Sequence, residues 1–327
     1  QNIHQLIAFS KVIGNFGYNV DVIDYRDDKV RLYKKYDLII NLHPGANNIY
    51  KNFITNNCHK VAYITGSNPT FSNNAEAERI RSLYRRKGVM LEPVRYVEPF
   101  DKEAIESCSM MMFVGNEHNL KTFDNLKLKK IFLIKNTGYE FLKNYDFSRK
   151  NPCNFLFLGG KGQVHKGLDL LLDIFSKNNN LNLYICSSYH NENAFCKLYY
   201  NELFHSPNIF PYGFVNITGN KFKDIIKTCT YLILPSCSEG QSGSVLSAMS
   251  AGLIPIVTRE CGLEDDEVYH LDNVMPDYME NMIIRFSQKD MGWIIDKSKK
   301  TMEIIESRYS MKNYEDSVRT GMRWLLP

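Results

Sequence analysis

Two short loops hold the residues best suited to do chemistry. In residues 231–258, YLILPSCSEGQSGSVLSAMSAGLIPIVT, an apolar run stops at Pro235, small polar residues surround Glu239, an Ala/Leu/Met-rich run ends at Gly252, and a second apolar run follows. Periodicity and breakers make this strand, loop, helix, strand. The loop would carry a carboxylate and several unpaired N–H groups to a helix N-terminus, where roughly half a unit of positive charge favours anions. The second loop, residues 159–167, GGKGQVHKG, stands between a predicted strand and a predicted helix. Its glycines let the backbone approach an anion, and Lys161 and Lys166 offer charge-assisted hydrogen bonds. A phosphate-bearing ligand fits both loops. Without one, Glu239 would serve only the helix dipole, worth about 0.3–1 kcal/mol, and the lysines would be solvated on a surface turn.

Other nucleotide and metal motifs fit less well. Gly160, Gly162 and His165 miss the last glycine of G-x-G-x-x-G, and the next predicted strand ends at Ser187 without a carboxylate to hold a ribose. A nicotinamide cofactor is thereby disfavoured. No G-K-[ST] follows Gly162, and the chain has neither Asp-x-Asp nor H-E-x-x-H, so chemistry without a metal or cofactor is expected. A net charge of +4 is too weak to argue for nucleic acid but suits an anionic small substrate or a lipid headgroup. No apolar run approaches the ~20 residues needed to cross a bilayer. Eight cysteines without a C-x-x-C pair read as reduced thiols, which favours the cytoplasm.

These loops need a scaffold, and the patterning supplies one. At 327 residues, 44% of them hydrophobic and 23% charged, the chain has room for two globular domains. It opens as though already inside a helix, with Leu6, Phe9, Val12 and Ile13 at helical spacing, so a preceding strand is expected before Gln1. Strands are predicted at 19–25, 37–42, 60–65, 110–114 and 131–135, with a clear helix at 75–87. Charged and aromatic residues at 141–152 mark a boundary. Strands then follow at 154–158, 181–187 and 209–214, with helices at 168–176, 193–204 and 221–228, ahead of the 231–258 unit. This alternation predicts an α/β chain of two Rossmann-like, doubly wound domains facing across a cleft, at 1–150 and 151–305. The tail carries only helical patterns, and residues 306–327 are expected to return as a helix onto the first domain.

The two loops, at their separation, resemble those of the retaining GT-B glycosyltransferases of the large group 1 type. That resemblance covers the second half well. It implies a donor diphosphate held by an Arg and, five residues on, a Lys, in a G-R…K-G loop. Gly160-Lys161 and Lys166-Gly167 match with Lys in place of Arg, which keeps the charge but loses the planar fork. It also implies a pair of glutamates eight residues apart in P-S-x-x-E-G. Pro235-Ser236 and Glu239-Gly240 match, while Ser247 stands where the second, ribose-binding glutamate belongs. By this analogy Glu239 faces the sugar, with Gly240 beside it at the donor, the N–H groups of Gln241, Ser242, Gly243 and Ser244 face the phosphates, and Gly213, Phe214 and Val215 lie along the base.

In the first half the resemblance is thinner. A strand from Asp37 ending in His43 looks like the family's D-x-x-x-x-x-H segment, which places an imidazole at the cleft as a second catalytic candidate beside Glu239. Where relatives carry another histidine, this chain has Thr65-Gly66-Ser67-Asn68-Pro69, so residues 66–70 become a candidate acceptor loop. His118 is a further candidate. The basic run 79–87, RIRSLYRRK, reads either as a solvated face or as a contact with anionic lipid. The function implied is transfer of a hexose or related sugar from a nucleoside diphosphate to a sugar or lipid-linked acceptor hydroxyl, with retention. Polysaccharide, lipopolysaccharide or glycolipid synthesis in the cytoplasm is the expected setting, with peripheral placement on the inner face of the membrane left open. A silent nucleotide- or sugar-binding scaffold and a nucleotide-sugar epimerase stay open as alternatives.

Overall fold

The computed structural model describes residues 2–24, 29, 31–44, 50–139 and 147–326. The first half contains α1 (Asn2–Gly14), β1 (Tyr36–Asn41), β2 (Ile54–Ile64), α2 (Pro69–Lys87), α3 (Lys102–Glu106), β3 (Met110–Val114), α4 (Glu117–Leu120) and β4 (Ile131–Ile134). Its sheet has the order β1-β2-β3-β4, with every neighbouring pair parallel. Helix α2 starts six residues before the predicted position because Asn68 accepts the Thr70 N–H at 2.9 Å and Pro69 occupies the first turn, and it stops at Gly88, which has φ 70°. The strand expected at 19–25 is not formed over 19–24: Val20, Val22 and Ile23 are exposed and pair with no sheet. Apolar residues of this kind cannot hold a strand without a neighbour to complete its ladder. Tyr25 and positions 140–146, which include part of the predicted boundary, lie outside the described residues.

The second half runs β5 (Asn151–Leu158), α5 (Leu168–Phe175), β6 (Asn182–Cys186), α6 (Asn193–Leu198), α7 (Tyr200–His205), β7 (Ile209–Pro211), α8 (Asn220–Thr228), β8 (Cys229–Leu234), α9 (Gly243–Ser250), β9 (Ile254–Val257) and β10 (Tyr269–His270). Its helical tail comprises α10 (Pro276–Ser287), α11 (Met291–Arg308) and α12 (Met311–Arg323). The six strands lie in the order β10-β9-β8-β5-β6-β7, with every neighbouring pair parallel. β8 and β9 are buried along their whole length, as a sheet covered by helices on both faces requires. The helix expected at 193–204 breaks at Tyr199, whose backbone leaves the helical region while its buried ring packs under the Lys87 ammonium. α12 leaves the second half and packs on α1, burying Tyr314, Val318 and Met322 with Phe9, Val12 and Met112. The Tyr63 and Tyr314 hydroxyls meet at 2.9 Å across that contact. Among the described residues no helix is long and apolar enough to cross a membrane.

Candidate active site

Strand order decides where the two loops meet. The chain lays β6 and β7 on one side of β5 and then returns to lay β8, β9 and β10 on the other, so the order reverses between β5 and β8. Ligands of open parallel sheets bind at the carboxyl ends of strands flanking such a reversal. The 159–167 loop leaves β5 and the 235–242 loop leaves β8, which puts both at that crevice. The Cys237 N–H donates to His165 O at 2.9 Å and binds one loop to the other.

At the centre stands a buried ion pair. Lys166 Nζ donates to Glu239 Oε1, and Ser236 Oγ donates to the same oxygen at 3.0 Å. The side chains are only 7% and 12% exposed, so this pair operates in a poorly solvated place where charge interactions are strong. Burial by itself would raise the Glu239 carboxyl. Lys166, then Arg95, outweigh it and hold it at about 2. Glu239 is therefore ionised at neutral pH and acts as a hydrogen-bond acceptor rather than a proton donor. His165 is buried beside it and donates from Nε2 to Ser238 O at 2.8 Å. Burial, and secondarily the Arg95 charge, push its imidazole down to about 4.

The glycine loop is built differently from a simple cradle. The Gly162 and Gln163 N–H groups donate to the Glu192 carboxylate at 2.6 and 3.1 Å, so an internal carboxylate takes up two of the backbone donors expected to face a ligand. Lys161 is exposed and has no ion-pair partner among the described residues. Gly160 stands with open space above it. Of the cations read from this loop, only Lys166 faces Glu239.

The helix N-terminus narrows as well. Ser242 N–H donates to Cys261 O at 3.0 Å, while α9 has no side-chain cap, and the N–H groups of Gln241, Gly243 and Ser244 have no partner among the described residues. The Gln241 side chain braces the structure instead. Its Oε1 accepts the Asn136 N–H at 2.6 Å, and its Nε2 donates to Gly262 O at 3.0 Å and the Tyr309 hydroxyl at 3.3 Å. Ser247 is buried and donates back to Gly243 O at 2.7 Å within its own helix, so its hydroxyl proton is not offered to a ligand. After β7, Val215 is buried and Phe214 is 71% exposed, so the Phe214 ring is not part of the core. Gly213 has φ 75° and lies close to the His190 ring.

The first half closes onto this site through Ser67, within the 66–70 loop read from the sequence, and through Asn119, which the sequence did not reveal. Ser67 N–H donates to Glu239 O at 3.0 Å, and Asn119 Nδ2 donates to Glu239 O and Glu260 O at 3.1 and 2.9 Å. A Cβ at Gly240 would run into the Thr65 carbonyl, so only glycine admits the opposite backbone here. Ser67 thus grips the 235–242 loop, while Asn68 caps α2. His43 lies just beyond β1, one strand over from this turn, against the Phe100 ring; burial lowers its pKa. His118 stands 3.7 Å from Glu260 at the rim.

The basic run of α2 faces the same seam. Arg79 donates to Pro235 O at 2.8 Å, Arg86 pairs with Asp169 and Asp173, and Lys87 lies 2.7 Å from Asp173 and 3.5 Å from Glu202. Arg81 and Arg85 alone point outward, and both pair with Glu78. No periodic signal distinguishes Arg95, Asn119 or Glu192, because each acts across a gap in sequence rather than along an element.

Known proteins share this fold. Among solved structures, the chain is similar to TarM of S. aureus, as a point mutant in complex with fondaparinux, alpha-GlcNAc-glycerol and UDP. Identity is 15% and TM-score 0.61, over 88% of this chain and 54% of that one. It is similar to WaaG, a glycosyltransferase involved in lipopolysaccharide biosynthesis, with 10% identity and TM-score 0.57 over 97% and 94% of the two chains. It is also similar to trehalose-6-phosphate synthase, studied with bisubstrate glycomimetics for glycosyl transfer with retention. There identity is 10% and TM-score 0.63 over 100% and 78%. The fold is therefore GT-B, although the chain spans little more than half the length of TarM. More narrowly, residues 152–283 match the family Glycosyl transferases group 1. No curated protein sequence matches significantly.

Proposed function

We propose that the protein transfers a hexose or related sugar from a nucleoside diphosphate to an acceptor hydroxyl, with retention, in polysaccharide, lipopolysaccharide or glycolipid synthesis. The observation that carries this reading is the Lys166–Glu239 pair, buried at the strand-order reversal and closed over by Ser67 and Asn119 of the other half. As the bond from the sugar to the diphosphate breaks, negative charge grows on the departing group. Lys166 and the free N–H groups at the start of α9 would stabilise it, a contribution of about 3 kcal/mol for each well-placed donor. The ionised Glu239 would accept hydrogen bonds from sugar hydroxyls and fix the ring for attack.

Support for the donor class comes from the group 1 match and from TarM, whose structure contains UDP. The acceptor would enter past His43 and residues 66–70, and the cations needed are side chains, so we propose metal-independent chemistry in the cytoplasm. Lipid contact through 79–87 would fall to Arg81 and Arg85, since Arg79, Arg86 and Lys87 are engaged between the halves.

A panel of UDP-, GDP- and ADP-sugars tests the proposal, with hydrolysis and transfer both counted and the product's anomeric configuration determined by NMR. Turnover of one donor with retained configuration is expected. Tight nucleotide binding without any turnover would identify a silent scaffold, and an isomerised sugar nucleotide formed without acceptor would identify an epimerase.

A further inference from the structure

We propose that Arg95, carried by the first half, is the second cation of the donor diphosphate site and takes the part that the resemblance gives to Lys161. The inference rests on the glycosyltransferase reading above. It makes the site a composite, complete only when the two halves are together.

Arg95 sits in the irregular segment between α2 and α3, and its backbone is fixed from below. The Val94 and Arg95 N–H groups donate to the buried Glu76 carboxylate at 3.0 and 3.1 Å. From that anchor the side chain crosses to the other half and lies along the glycine loop. A Cβ at Gly162 would come within 2.5 Å of Arg95 Cδ and 2.6 Å of Cγ, and Gly162 has φ +87°, so both space and conformation reserve this position for glycine. The guanidinium then ends 3.9 Å from Glu239 Oε1, the oxygen already bound by Lys166 and Ser236.

That separation is too long for a hydrogen bond, and no side-chain hydrogen bond engages Arg95 among the described residues. Its N–H donors are therefore unspent, on a side chain that is still 31% exposed. A planar guanidinium with free donors suits two phosphate oxygens at once, which a lysine cannot match. Nearby alternatives are weaker: Lys161 is exposed, and the Gly162 and Gln163 N–H groups are held by Glu192.

Calorimetric binding of UDP, GDP and ADP and of their monophosphates tests this, on wild type and on Arg95→Ala, Arg95→Lys and Lys161→Ala, with donor turnover measured alongside. For whichever diphosphate binds wild type best, Arg95→Ala should weaken binding about 10–100-fold, as loss of hydrogen bonds to a charged group does. The matching monophosphate should change less than about threefold. Turnover should fall about 10²–10³-fold, and Arg95→Lys should recover only part of either loss. Lys161→Ala should cost less than Arg95→Ala in both assays. Equal loss of mono- and diphosphate affinity would mean a merely structural role, and a larger loss at Lys161 would return the part to that residue; either overturns the inference. Wild type that binds and turns over a donor, with Arg95→Ala unchanged, sinks the inference alone. Wild type that binds none of the three nucleotides sinks the glycosyltransferase reading as well.

Discussion

The two sheets of this molecule are alike in direction and different in completeness. In the second half strands β8 and β9 are covered on both faces, and one apolar core extends from β5 to α11 and takes in Ile80, Leu83 and Leu91 of the first half. In the first half β1 is only partly buried, and the core splits into two clusters on opposite sides of the sheet, one of them closed by α12 from the far end of the chain. The second half carries the buried Lys166–Glu239 pair and the N–H groups without a partner at the start of α9. The first supplies contacts that hold those groups in place: Ser67, Asn119, Arg79 and Arg86. One half therefore encodes its role locally, and the other encodes it through what it touches.

The largest test of that division is at the buried pair. Glu239→Gln should lower turnover by at least ~10²-fold, since loss of ring orientation alone is worth that much. Removing one partner of a buried pair also costs about 3–5 kcal/mol, so Lys166→Met should lower the urea midpoint as well. The double variant should be more stable than the sum of the singles predicts, and additive losses would show that the pair is not coupled.

Next comes the tether between halves. Asp169 is fully buried, and burial raises its pKa even with Arg86 beside it. Arg86→Ala should therefore cost about 3 kcal/mol in urea unfolding, and adding Asp169→Asn should recover part of it. A loss below about 1 kcal/mol would mean that the halves do not rely on this contact.

The seam should also be sensitive to acid. His165 has a folded pKa of about 4 against an unfolded value of 6.5. The unfolded chain thus takes up the proton first, so the stability from this group is full above 6.5, falls as the pH drops toward 4, and levels off below that. The loss from this group is about 3 kcal/mol. His165→Gln should flatten the stability profile over that window relative to wild type, and parallel profiles would assign the acid loss to other groups. The smallest effect belongs to the outward face: Arg81→Ala should change stability by no more than about 0.5 kcal/mol, because its pair with Glu78 is exposed.

Local physics is enough to read much of this from the chain. Short apolar runs such as YLIL, bounded by Pro235 and small polar residues, read as strands buried on both faces by their length and flanks, so the parallel α/β class and the two loops are legible in residues 151–258. Glu239 and Lys166 were legible because each sits at a fixed offset from a strand end. Their partners were not. Glu192 takes up two N–H groups of the glycine loop, Gln241 serves the connection between halves, Ser247 turns into its own helix, and Arg95 arrives from a segment without any period. Tertiary structure alone decided these, because hydrogen bonds and ion pairs depend on distances of a few ångströms between residues separated by tens of positions, and strand order, rather than sequence spacing, sets those distances.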